Sequence, residues 1–280
     1  MSALTGMAPP PELLERRAAI SAAVAAGYFR TDPVAVEIRI AGVRCLRFAA
    51  PGTSRGTVMH LHGGAFRMGC PEQVGPFAAA LAERCGVDVI CPAYRLAPEH
   101  PFPSGVDDGM AVLAALAGQD QPLVVSGDSA GGGLAACLAA RSHERGHKLA
   151  GLVLLSPWLD LTISSPSYQV NSQSDPLFSA ESAAAAAALY LQGRNADDPA
   201  ASPLHADVAG YPPTYINVGS GEVLLDDARA MASKLQLAGV PITLVEVDGM
   251  DHVAVTRGPD LPGSAHTFAT MTTFIDTMLQ

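Results

Sequence analysis

The sequence predicts an α/β fold: a mostly parallel eight-stranded sheet with helices on both faces and a small helical cap. Three observations predict it. Short apolar runs alternate with helical stretches along most of the 280 residues. Several of those runs are apolar at consecutive positions, the pattern of strands covered on both faces. Two segments break the rhythm by carrying helical patterns without a convincing strand, and these predict the cap.

In chain order, Leu13, Ile20, Val24 and Tyr28 fall at +7, +4 and +4, which predicts one face of an N-terminal helix. Val36–Ile40 and Val43–Ala49 flank Ala41-Gly42 and predict a hairpin. Thr57–Leu61 is a short apolar run that stops at His62-Gly63-Gly64. Phe77–Cys85 has helical spacing and leads into the run Val87–Cys91. Leu123–Ser126 stops at Gly127, and Leu152–Leu155 stops at Ser156-Pro157. From Ser165 to Asp207 no strand is evident. Ala183–Leu191 there is a strong helix former, with Ser179 as its N-cap and Glu181 and Ser182 in the first turn. Thr214–Val218 and Ile242–Val247 complete the eight strands. The organisation is then 1–35 as the first part of the cap, 36–164 as core, 165–207 as the second part of the cap, and 208–280 as core.

Composition excludes several function classes. Hydrophobic residues make up 49% and charged residues 16%, so the chain can bury a large core. The net charge of −10 argues against a phosphate backbone as partner, so no nucleic acid is expected. No apolar run reaches the roughly 18 residues that span a bilayer, so no membrane span is expected. Glu12, Glu15, Arg16 and Arg17 are not followed by an apolar signal region. The five cysteines, Cys45, Cys70, Cys85, Cys91 and Cys137, form no CxxC pair, and reduced thiols in a cytoplasmic protein are expected.

The chemistry concentrates in Leu123–Gly133. A buried run stops at Gly127, Ser129 lies between glycines at −2 and +2, and a helical pattern follows. A serine on a sharp strand-to-helix turn needs such glycines, because larger neighbours clash with its strained backbone. The turn also sets the hydroxyl at a helix N-terminus, where backbone N–H groups favour negative charge. A Gly-rich turn merely capped by Ser129 is the bland alternative. A phosphate loop is not, because no Lys-Ser/Thr follows the glycines.

The end of an earlier strand, His60-Leu61-His62-Gly63-Gly64-Ala65-Phe66, suits an oxyanion hole. The N–H groups of Gly63 and Gly64, with that of Ala130 after the nucleophile, would supply three donors to a tetrahedral intermediate. His60 and His62 share one side of a strand and invite an H-x-H metal site. No third ligand is apparent, so no metal and no cofactor are expected, and His62 is read as a brace of the loop. His252, in Asp248-Gly249-Met250-Asp251-His252 after the last strand, is the best general base. The acid that orients it should follow Thr214–Val218. Glu222 comes first in that loop, Asp226 is the runner-up, and Asp160 is a distant third. The order Ser129, Glu222, His252 is that of α/β-hydrolases.

These segments resemble the hormone-sensitive-lipase-like branch of that superfamily, the bacterial family IV esterases, over about Val58 to His252. His62-Gly63-Gly64-Ala65-Phe66 looks like the family's HGGG-type loop, with alanine at the third small position. Gly127-Asp128-Ser129-Ala130-Gly131-Gly132 is similar to its nucleophile motif. So are Tyr94–Pro103 with Asp107-Asp108, and Asp198-Pro199-Ala200-Ala201-Ser202-Pro203-Leu204. The family's D-P-L-x-D acid motif here reads Glu222-Val223-Leu224-Leu225-Asp226, with Glu first as in a subset of the family. The resemblance implies that Arg95 pairs with Asp107 or Asp108 and braces the oxyanion loop.

It also implies a serine carboxylic-ester hydrolase for short- to medium-chain acyl esters, with lactones or acetylated xenobiotics as further candidate substrates, working through an acyl-enzyme. Candidate pocket residues are Phe66, Met68, Asp128, Trp158, Leu159, Tyr190 and Met250. The partner is a small-molecule ester. An amidase or formamidase using the same three residues is the rival enzyme, and a non-catalytic small-molecule receptor the rival from another class. The last strand, Ile242–Val247, is an edge at which a second copy can pair into a homodimer.

Overall fold

The structure is a computed structural model, and it describes residues 6–280. All eight strands form one sheet. They are β1 (Val36–Ile40), β2 (Val43–Phe48), β3 (Thr57–Leu61), β4 (Asp88–Pro92), β5 (Leu123–Asp128), β6 (Gly151–Leu155), β7 (Thr214–Gly219) and β8 (Ile242–Val247). Their order across the sheet is β1-β2-β4-β3-β5-β6-β7-β8. The β1–β2 and β2–β4 pairs are antiparallel; every other pair is parallel. The hairpin pairs Ile40 with Val43 around Ala41-Gly42.

The helices in chain order are α1 (Pro11–Ala25), α2 (Gly75–Cys85), α3 (Ser104–Ala117), α4 (Ala130–Glu144), α5 (Ser167–Val170), α6 (Ala180–Leu191), α7 (Leu225–Leu237), α8 (Ala254–Arg257) and α9 (Ser264–Met278). Successive strand residues point to opposite faces of the sheet. Val58, Val89, Val124, Val153 and Tyr215 therefore pack with Phe77 and Leu81 of α2 and Met271 and Ile275 of α9. Their neighbours Met59, Ile90, Val125, Leu152, Leu154 and Ile216 pack on the other face with Val106 and Met110 of α3, Leu134 and Leu138 of α4, and Met231 of α7. Two cores separated by one sheet explain why the runs of the inner strands lack alternation.

The loops after β3, β5, β6, β7 and β8 leave one end of the parallel strands, the carboxyl end, where open α/β sheets hold their ligands. Two segments lie outside the β-α alternation. Residues 6–35 contain α1; the first five residues of the expected first cap segment lie outside the described residues. The stretch between Leu155 and Thr214 holds α5, α6 and a short 3-10 turn at Pro203–His205, and no strand. Helix α6 opens with a capping box: Ser182 N–H donates to Ser179 Oγ (3.2 Å), and Ser179 N–H to Ser182 Oγ (3.1 Å).

One helical expectation is corrected. Leu13, Ile20 and Val24 do face the protein, but Tyr28 does not share their face and is 82% exposed. Helix α1 ends at Ala25, and Gly27 takes a left-handed φ of 79°, so the +4 spacing to Tyr28 crosses a chain reversal. No helix among the described residues is long and apolar enough to cross a membrane.

Candidate active site

Strand β5 hands over to α4 at Ser129, whose φ of 52° and ψ of −121° lie where a side chain is strained. The neighbours explain how that geometry is tolerated. A Cβ on Gly127 would lie 2.1 Å from Gly131 O, and one on Gly131 would lie 2.0 Å from Leu61 O. Only glycines let the turn close on itself and on the end of β3. Ser129 is thereby held at the N-terminus of α4, with its N–H donating to Leu155 O at the end of β6 (2.9 Å).

His252 follows β8, and its Nε2 lies 2.9 Å from Ser129 Oγ. Its Nδ1 lies 2.7 Å from Oε2 of Glu222, in the turn after β7. With Nδ1 carrying the proton, Nδ1–H donates to the carboxylate and Nε2 is free to accept from the serine hydroxyl. All three residues are buried. Burial disfavours the imidazolium, but the hydrogen bond and negative charge of Glu222 outweigh it, and the pKa of His252 is raised above the usual histidine value.

The other oxygen of Glu222, Oε1, accepts from Gly219 N–H (2.6 Å) and from the Ser156 hydroxyl (2.7 Å). The two competing acids are occupied elsewhere. Asp226 accepts from Ser167 N–H (2.9 Å) and pairs with Arg229. Asp160 binds Thr162, Ser164 and His205. Asp227, also in the first turn of α7, accepts from the N–H groups of Leu159 and Asp160 and from the Ser165 hydroxyl, and burial pushes its carboxyl up to about 7.

The loop after β3 approaches Ser129 closely. A Cβ on Gly63 would fall 3.2 Å from Ser129 Cβ and 2.5 Å from Asp128 Oδ2. Its N–H, however, donates to Asp128 Oδ1 (3.0 Å), which also bonds His60 Nε2 (3.2 Å). This corrects the expectation of three oxyanion donors. The Gly63 N–H is spent on fixing the loop, while those of Gly64 and Ala130 donate to no protein acceptor among the described residues. Asp128 is therefore a clamp between the two loops. His62 stacks on Tyr94 (ring centroids 4.4 Å apart), and its Nδ1–H donates to Gly63 O (2.7 Å).

The Tyr94–Asp108 segment braces the loop by other atoms than those expected. The Tyr94 hydroxyl donates to His62 O (2.6 Å), and Ala97 N–H donates to Phe66 O (2.9 Å). Arg95 does pair with Asp108 (2.8 Å), but the pair is confined to its own segment and reaches no residue of the oxyanion loop. Arg17 on α1 bridges the same loops, donating to Arg67 O (2.8 Å), Ala97 O (2.7 Å) and Glu99.

Above these residues lies a cavity of about 480 Å³, whose wall includes Ser129, His252, Gly63, Gly64 and Ala65. Met68 and Asp128 line it as expected. Phe66, Trp158, Leu159, Tyr190 and Met250 do not: they are core side chains, no more than 3% exposed. Phe66 stacks on Tyr190 at 4.1 Å and packs against Trp158 at 5.4 Å, so the aromatic cluster satisfies itself beneath the loop. The walls come instead from residues the sequence did not single out: Arg16 and Ile20 of α1, Arg67, Leu177, Phe178, Ser182, and Thr256 and Arg257.

Phe178 lies parallel to the His252 ring, with centroids 5.9 Å apart. It is anchored by Asp175, whose carboxylate accepts from the N–H groups of Leu177, Phe178 and Val223, each at 3.0 Å. Asn171 adds bonds to the carbonyls of Ser220 and Glu222. The segment between β6 and β7 is thus fastened to the turn that carries Glu222. Asn171 carries no local sequence signal, because it acts on main chain about 50 residues away. Asp175 bonds the N–H groups two and three residues on, a local turn, but its tie to Val223 is 48 residues distant.

Comparison with known proteins agrees with this architecture. Residues 58–256 match a family model described as the alpha/beta hydrolase fold. An esterase of Acinetobacter venetianus is 38% identical over 218 residues, 76% of this chain and 72% of that protein. An acetyl-hydrolase of Streptomyces hygroscopicus is 38% identical over 210 residues, 74% of this chain and 70% of that one. The crystal structure of an esterase from the bacterial hormone-sensitive lipase family superposes with a TM-score of 0.85 at 33% identity, covering 98% of this chain and all of the other. The chain belongs to the hormone-sensitive-lipase-like branch (bacterial family IV) of the α/β-hydrolase superfamily, and with it to the carboxylic-ester hydrolases.

Proposed function

We propose that the protein hydrolyses short- to medium-chain acyl esters through an acyl-enzyme on Ser129, with His252 as general base and Glu222 as the acid that orients it. Ser129 Oγ bonds to the acyl carbon while His252 Nε2 takes its proton. The oxygen that becomes negative is received by the N–H groups of Gly64 and Ala130, at the turn and at the start of α4. The tetrahedral intermediate collapses, the ester C–O bond breaks, and the imidazolium returns its proton to the departing alcohol. Water, deprotonated by the same Nε2, then cleaves the acyl-serine. Glu222 stays ionised and stabilises the imidazolium in both halves.

The observation that carries the reading is the continuous relay from Ser129 Oγ through His252 to Glu222, at 2.9 and 2.7 Å, opening on a cavity. Residues 1–35 and 165–207 are read as the two parts of a cap, because Arg16, Ile20, Leu177, Phe178 and Ser182 come from them to the cavity wall. The five unpaired thiols suit a reducing, cytoplasmic setting. The free edge of β8 is the expected seam for a second copy.

A chain-length series of p-nitrophenyl esters, run beside a lactone and an aryl formamide, tests the substrate class. Turnover should be greatest at short to medium acyl chains and depend on Ser129. A faster formamide than every ester would replace the reading with amide hydrolysis.

A further inference from the structure

The wall of the cavity over Ser129 is cationic although the protein as a whole carries a charge of −10. Three arginines contribute to it: Arg16 from α1, Arg67 from the loop after β3, and Arg257 at the end of α8. Among the described residues no carboxylate forms an ion pair with any of the three. Of the other arginines, Arg17, Arg44, Arg47, Arg55, Arg84, Arg95, Arg141 and Arg229 lie in ion pairs, and Arg30, Arg39, Arg145 and Arg194 stand apart from the cavity without one among the described residues. In a chain with 27 acidic residues against 17 basic ones, what sets this cavity apart is that three such guanidinium groups gather in one wall beside a single carboxylate.

Arg67 states the case most sharply. Its Nε is buried and has no hydrogen-bond partner. Burial, with the neighbouring charge of Arg16 adding to it, holds its pKa below the usual arginine value. A donor left this way costs free energy, so the side chain is held beside the cavity at a cost to stability. Arg257 makes one hydrogen bond among the described residues, a 3.4 Å donation to the carbonyl of His252, and its side chain is exposed. The one carboxylate in the wall, that of Asp128, is consumed by Gly63 N–H and His60. The cavity wall therefore holds three guanidinium groups against one carboxylate, whose Oδ1 is already bonded to Gly63 N–H and His60.

We propose that the substrate is an ester carrying an anionic group, a carboxylate, which Arg16, Arg67 and Arg257 receive while the ester carbonyl lies against Ser129. This rests on the ester-hydrolase reading above and deepens it by naming the substrate class. Arginine suits the task because its planar fork meets a carboxylate through two parallel hydrogen bonds. The arginines also concentrate anions locally against the repulsion of the acidic surface. Hydrolysis consumes one water and releases an acid and an alcohol, one of which bears the additional carboxylate.

The test compares charged esters with neutral ones of the same shape. Mono-p-nitrophenyl succinate is set against p-nitrophenyl butyrate, which places the charge on the acyl side. 4-Carboxyphenyl butyrate is set against phenyl butyrate, which places it on the alcohol side. In the wild type, at least one charged ester should have the higher kcat/KM of its pair, and the advantage should shrink as salt is raised. In the Arg67→Gln, Arg257→Gln double variant that ratio should fall at least tenfold, mainly through KM. Arg257→Gln alone, at an exposed position, should lower it severalfold and guards against misfolding of the double variant.

Neutral esters favoured in both pairs, or ratios that stay within twofold in both variants, would overturn the proposal while leaving ester hydrolysis intact. No Ser129-dependent turnover of any of the four esters would overturn the ester reading beneath it.

Discussion

The hydroxyl of Ser156 donates a 2.7 Å hydrogen bond to Oε1 of Glu222, on the side of the carboxylate away from His252. Ser156 itself takes a left-handed φ of 44° at the end of β6, and its oxygen accepts from Val253 N–H (3.2 Å). One small side chain thus ties the acid to the residue that follows the imidazole. Ser156→Ala should remove a bond to a charged group worth about 1.5–3 kcal/mol. We expect a tenfold or greater loss of kcat with little change in KM. Unchanged kcat would show that Gly219 N–H alone holds the carboxylate.

Ser129→Ala should leave the far-UV circular dichroism spectrum intact and lower turnover of p-nitrophenyl butyrate by about 10⁴–10⁶. An organophosphate probe should label the wild type at Ser129 and fail to label the variant. Activity within tenfold of wild type would reject the nucleophile.

Glu222→Gln should lower kcat by about 10³–10⁴, because the amide cannot stabilise the imidazolium and can favour the wrong tautomer. Asp226→Asn should stay within a few-fold of wild type, since Asp226 spends itself on Ser167 and Arg229. The reverse ranking would move the acid to Asp226.

The acid limb of kcat/KM against pH should fall above 6.5. His252 must be neutral to accept a proton, and Glu222 raises its pKa against the opposing effect of burial. Rate is therefore lost as pH drops through that raised value. In Glu222→Gln the residual activity should show its acid limb at lower pH. Stability has the opposite sign: the contribution of the pair is complete below the unfolded pKa of about 6.5 and is lost as pH rises through the folded value. Melting temperatures of wild type and Glu222→Gln should accordingly differ more just below that unfolded value than well above it.

Asp175→Ala strips three N–H groups, two of them buried, of their acceptor and frees Phe178 from its place over His252. We expect a loss of about 1–3 kcal/mol in urea unfolding, together with reduced kcat/KM. Full stability with full activity would show that the segment before α6 does not need this anchor.

Much of the fold was legible in the chain because its causes are local. Eight apolar runs, the Ala41-Gly42 hairpin and the Ser179 cap all depend on neighbours within a few residues. The strained Ser129 turn was legible for the same reason, since the glycines that permit it lie at −2 and +2. Glu222 and His252 could be singled out because each follows a strand in a fixed order. By itself the sequence thus determined the sheet, the family, and the three side chains that the structure joins by hydrogen bonds.

Tertiary structure decided what depends on distant atoms meeting. Whether Gly63 N–H serves an oxyanion or Asp128 is set by the contact between the ends of β3 and β5. Whether Phe66, Trp158 and Tyr190 line a pocket or fill a core is set by which aromatic rings they find across the fold. Ser156, Asn171 and Asp175 gain their roles from groups many residues away, the Glu222 carboxylate for Ser156 and main chain for the other two. A hydrogen bond requires two groups within about 3 Å, and separation along the chain does not report that distance.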